Sequence, residues 1–296
     1  MHLPKATAFN NQHQKIRYTL GHVFASILIL ESAKAHNTSS TESNNARKSP
    51  TSRNLLSMSS LLYRTRGIRI FLSGLPAAIT YNVAQYLIAN SLLTLIFGDG
   101  LLNPVAEVLS SVLLSELHLH WTQATILAKP AKLTKLRHSK RRWKALAIPS
   151  LALAAAKVLM GSIPGYMHKA TRIFAEGSDA SAELSVAHLV STEVLAALLV
   201  LAIRLFVFLP ASAVLEYVEV SFLARTDETV VPCLQKKRGA KVAELLEFEN
   251  MPLDFGAAHR VVRFSTCIWL LGLHLKKCAV VFCVDLTVWG LVQLLL

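Results

Sequence analysis

Val194–Leu215 reads VLAALLVLAIRLFVFLPASAVL, and Arg204 is its one formal charge. At about 1.5 Å of rise per residue this stretch is roughly 33 Å long as a helix, close to the thickness of a bilayer's hydrocarbon core. The pattern repeats on both sides of it. Ile70–Phe97 holds no formal charge, and Pro76 suits the first turn of a helix there. Gly98-Asp99-Gly100 reads as a tight turn, after which Leu101–Ala128 returns to complete a helical hairpin. Ala145–Gly165 is a third apolar run, with Gly161-Ser162-Ile163-Pro164-Gly165 as a helix-ending turn. The quoted stretch lies within Leu184–Leu223. The chain closes with Phe264–Leu296, apolar apart from Lys276, Lys277 and Asp285. The expected fold is an all-α, polytopic transmembrane helical bundle of about five or six membrane helices.

Composition agrees. Of 296 residues, 53% are hydrophobic and 17% charged, against about 25% charged in a soluble domain. The net charge of +13 comes from basic residues in the connections between apolar runs. A topology signal accounts for them, and no aromatic-basic nucleic-acid module appears. None of the cysteines, Cys233, Cys267, Cys278 and Cys283, has CxxC spacing. They read as buried apolar thiols, without a zinc or redox framework.

Two regions divide the chain. Residues 1–60 hold a short apolar run, 18–30, and a Ser/Thr/Asn-rich stretch, 36–60, that reads as a disordered linker. The run 18–30 is short for a span. It reads as a first span, as a signal peptide ending at Ala33-Lys34-Ala35, or as a basic transit peptide. Residues 61–296 are the transmembrane helical region. It begins with Leu61–Phe71, whose Arg64, Arg66 and Arg69 suit a helix lying on the membrane surface. Lys241–Phe248 reads as a short surface helix.

The connections test this layout. Arg47–Arg69 carries six Lys/Arg, Lys129–Lys144 eight and Arg225–Arg263 seven, whereas 98–100 carries none and 166–183 two. If 70–97, 101–128, 145–165 and 190–220 each cross once, the basic connections share one side. That side is the cytosol, or the matrix of a mitochondrion. The expected location is an intracellular membrane, endomembrane or mitochondrial inner.

Ionisable groups inside apolar runs are costly and mark function or packing. Glu107, Glu116, His120, Lys157, Glu193, Arg204 and Glu216 are the candidates for lining a polar path through the bundle. Glu193 and Arg204 lie eleven residues apart, about 20° from being in line on a helix, and share a face. The competing reading is a set of interhelical pairs, or side chains reaching for the interface. In Glu116-Leu117-His118-Leu119-His120, Glu116 and His120 share a helix face while His118 points elsewhere. No further metal ligand is placed by spacing, and an interfacial His/Trp cluster is the plainer account. The HExxH, nucleophile-elbow and phosphate-loop patterns are absent. No catalytic residue, cofactor or metal is therefore expected.

Leu209-Pro210-Ala211-Ser212-Ala213-Val214-Leu215-Glu216-Tyr217-Val218-Glu219 resembles the end of an odd-numbered helix in the mitochondrial carrier family. That signature is proline, any residue, an acid, two residues, then a base. Ser212 and Leu215 stand at the acid and base positions, so the gating charges are missing. Arg66–Pro76 looks like that family's surface helix, glycine and even-numbered helix. Leu114–Thr125 (LSELHLHWTQAT), Trp143–Pro149 (WKALAIP) and Leu209–Pro232, with Asp227-Glu228-Thr229-Val230-Val231-Pro232, are similar to a group of fungal multi-span proteins often labelled "ubiquitin carrier". They look like degenerate carriers. The chain has no cysteine in the context such ubiquitin chemistry needs. The resemblance implies a non-enzymatic membrane protein with a carrier-like solute path. The alternative is a non-transporting scaffold or accessory subunit whose basic connections meet anionic lipid or an acidic partner.

Overall fold

The computed structural model describes residues 19–39, 54–97, 102–128, 140–176, 182–232, 239–246 and 252–295. Helices α1 (Phe24–Ser39), α2 (Leu55–Arg66), α3 (Leu75–Leu92), α4 (Asn103–Leu113), α5 (Ser115–Ile126), α6 (Lys140–Glu176), α7 (Ala182–Ile203) and α8 (Leu209–Ser221) come first. A small antiparallel pair follows, β1 (Glu228–Pro232) and β2 (Gly239–Lys241), then α9 (Val242–Leu245), α10 (Phe255–Val261) and α11 (Phe264–Leu295). Among the described residues, three helical stretches are long and apolar enough to cross a membrane: Lys140–Ala170, Val190–Ser221 and Phe264–Thr287. Their outward faces carry large apolar side chains, among them Leu198, Phe206, Ile268 and Phe282, which suits lipid better than water.

Central to the packing is α1. Val23, Phe24, Ile27, Leu28, Ile29 and Leu30 are each at most 2% exposed. A helix apolar all round is stable only when surrounded. Here α8, α9, α11 and β1 surround it. Tyr217 of α8 donates its hydroxyl to the Ile29 carbonyl at 3.0 Å, and Thr266 of α11 donates to Ser32 Oγ at 3.2 Å. The described part of the run, 21–30, is thus a core element.

Several elements differ from their sequence-based outlines. The apolar stretch 101–128 breaks at Leu114 (φ −91°, ψ 13°) into α4 and α5. Just before the break Ser110 Oγ turns back onto the Glu107 carbonyl at 2.8 Å. Gly161–Gly165 ends nothing: α6 runs through it, with Pro149 and Pro164 inside. Lys276 and Lys277 do not interrupt α11. The surface helix starts at Leu55, and Gly67 ends it at φ +70°, ψ −169°, a conformation open to glycine. It buries Met58 and Leu62. The described parts of 225–263, residues 225–232, 239–246 and 252–263, form a packed cap. Its strands pair, Thr229 Oγ1 donates to the Ala240 carbonyl at 2.7 Å, and Val231, Val242 and Leu245 are fully buried. The helix expected over Lys241–Phe248 shortens to α9. Of the cysteines, Cys267 is buried, but Cys278 and Cys283 are exposed on α11. Pro76 does fall in the first turn of α3. The turn at 98–100, the basic run 129–139 and most of the linker, 40–53, lie outside the described residues.

Between α7 and α8 the helix widens into a π-turn over Arg204–Phe208, where the Leu209 N–H bonds the Arg204 carbonyl five residues back. Pro210 lacks an N–H for the ordinary ladder and crowds the preceding turn, so widening there avoids a break.

Candidate functional site

α8 carries Glu216 and Glu219 three residues apart, a spacing that puts both on one helix face. Both are buried, Glu219 completely. Opposite stands α5, whose inward face is a polar stripe at helical spacing: Ser115, His118, Thr122 and Thr125 are all buried. Two members of that stripe complete the Glu219 carboxylate. His118 Nδ1 lies 2.6 Å from Oε1, and Thr122 Oγ1 donates to Oε2 at 2.6 Å. Aromatic rings enclose His118, with Tyr81 and Trp121 at centroid distances of 5.2 and 5.0 Å. His22 stacks on Trp121 at 4.2 Å. The Tyr81 hydroxyl and Gln85 Nε2 both meet Ser111 Oγ at 3.1 Å, tying α3 to α4.

Beside this cluster is a cavity of about 360 Å³, bounded by the start of α1 and by α3, α5, α6, α8 and α11. Its polar wall comprises His22, Asn82, His118, Lys157, Ser212, Glu216, His274 and Lys277. Ile29, Leu75, Ile79, Leu153, Phe208, Leu215, Leu270 and Leu273 supply the apolar wall. Lys157 lies near the middle of Lys140–Ala170, and His274 and Lys277 near the middle of Phe264–Thr287. Charged groups at mid-span belong in a cavity rather than against lipid. The Lys157 side chain is open to that space rather than packed. Glu216 is 7% exposed, and its Oε1 has no hydrogen-bond partner among the described residues. Gly21 permits the close approach of Lys277, since a Cβ there would stand 2.9 Å from Nζ.

Of the sequence candidates, Lys157 and Glu216 meet in this cavity. Arg204 lies behind its wall, within electrostatic reach of His274. Glu116 pairs with Arg142 at 3.3 Å, joining α5 to α6. Glu193 lies 3.3 Å from His168 on the exposed outside of α6 and α7. Glu107 is exposed on α4, and His120 is half-buried, away from the cavity wall. His118 does point away from the face that Glu116 and His120 share, and the face it occupies is the one α5 turns inward onto Glu219. Glu219, His22, His274 and Lys277 complete the site. The stripe of Ser115, His118, Thr122 and Thr125 at intervals of three and four was the sequence signal for that face. Among the described residues no three His, Cys, Asp or Glu side chains gather in a metal-binding group. The chain matches no protein family, no curated protein and no solved structure.

Proposed function

We propose that this protein is a polytopic membrane protein that binds a small anionic solute in the central cavity and carries it across the bilayer, in the manner of a degenerate solute carrier. The observation behind this reading is Lys157, a mid-span cation with its surface open to a cavity of ligand size and no ion pair among the described residues. Lys277, His22 and His274 add donors to the same wall. Five crossings follow if α3 and the kinked α4–α5 pair also span, which puts the basic connections on the cytosolic or matrix side. α1 would then be a short buried helix retained within the bundle. The catalytic machinery of an enzyme has no part in this reading.

The test is uptake of labelled small anions by proteoliposomes containing the full chain. Lys157→Ala is expected to lower flux at least about tenfold, the loss of one charge-assisted contact. Arg204→Ala, behind the wall, is expected to cost less. Flux unchanged by Lys157→Ala would contradict the reading.

Lys140, Arg141 and Lys144, exposed at the start of α6, favour a second role for that end of the molecule. They would hold anionic headgroups, at about 1 kcal/mol per basic residue, as in a scaffold or accessory subunit. A stable co-purifying protein together with no flux would favour this over transport.

A further inference from the structure

We infer that the solute of this cavity is zwitterionic, with an ammonium group for Glu216, a carboxylate for Lys157 and an apolar body between them. The inference rests on the solute-binding reading above, keeps its carboxylate for Lys157 and replaces the simple anion with a dipolar ion. An acidic and a basic side chain line one cavity, yet Lys157 and Glu216 form no ion pair with each other. Glu219 differs, because both its oxygens already have partners within the protein. The Glu216 Oε1 has none among the described residues, although the side chain is 93% buried by the same measure that leaves it 7% exposed. A buried acceptor without a donor is costly, and a bound group that supplies one recovers that cost.

A plain anion would satisfy Lys157 but place a like charge in the same cavity as Glu216. A plain amine would have the reverse fault at Lys157. A dipolar ion answers both, and Ile29, Leu153 and Leu270 give its carbon skeleton an apolar wall. The cavity's 360 Å³ suits a small organic molecule rather than a macromolecule.

Binding to the purified full chain in lipid nanodiscs tests this, by calorimetry with four probes: L-leucine, 6-aminohexanoate, hexanoate and hexylamine. The two zwitterions present their charges at short and long separation. At least one is expected to bind about tenfold or more tightly than both singly charged probes. Glu216→Gln should remove that advantage, weakening the zwitterion and strengthening hexanoate, and Lys157→Met should weaken the zwitterion and hexanoate alike. Hexanoate binding as tightly as both zwitterions would overturn the inference and leave the anion reading standing. So would a zwitterion that binds Glu216→Gln as well as the unaltered protein. Binding of none of the four would count against both.

Discussion

At the scale of the residue, Glu219 is the most constrained group in the molecule. It is fully buried, and its two oxygens are held at 2.6 Å by His118 and Thr122. Removing one partner leaves a carboxylate buried with half its support. His118→Ala is expected to cost about 3–5 kcal/mol, the range for breaking a buried pair from one side. Thr122→Val keeps the shape and loses one hydrogen bond to a charged group, for about 1.5–3 kcal/mol. Thermal unfolding of the detergent-solubilised protein checks the order, and a Thr122→Val loss equal to that of His118→Ala would contradict it. The sequence made Glu216 and Lys157 visible because ionisable groups stand out in apolar runs. It did not make Glu219 stand apart from Glu216, because the distinction lies in which neighbour completes each carboxylate. His118 and His120 differ by one helical step of 200°. Only the packing of α5 against α8 decides which faces inward.

At the scale of the element, α1 is the case where length left three readings open. A run of thirteen apolar residues is too short to cross a bilayer and resembles a targeting segment. Its burial on every side gives it another reason to be apolar, as the piece around which α8, α9 and α11 pack. Leu28→Ala is therefore expected to destabilise the protein by about 2–5 kcal/mol, as much as a mid-core leucine of a soluble domain. Leu198→Ala, on the outer face of α7, should cost little, since lipid refills the space. Equal losses for the two in a thermal-unfolding comparison would contradict the central position of α1. The apolar runs that became α7 and α11 were legible because charge-free length is a strong signal. The kink at Leu114 and the cap over 225–263 were not. The kink falls in a run, 105–128, with no proline or glycine to mark it, and the cap depends on strand partners that converge only in the folded chain.

At the scale of the whole molecule, the described spans turn apolar side chains outward while the cavity inside them is lined with polar ones, the inverse of a soluble protein's surface. Leu198, Phe206, Ile268 and Phe282 face outward, while Lys157, Glu216, His274 and Lys277 face a shared space. That inversion is what a bilayer with a water-filled pocket through its middle would select. Cysteine accessibility in sealed membranes tests it most directly. With the native cysteines replaced by serine, Ser212→Cys places a thiol on the cavity wall and Leu198→Cys places one on the outer face. The account predicts that a membrane-impermeant, charged thiol reagent modifies Ser212→Cys and spares Leu198→Cys. Labelling of Leu198→Cys with protection of Ser212→Cys would contradict it.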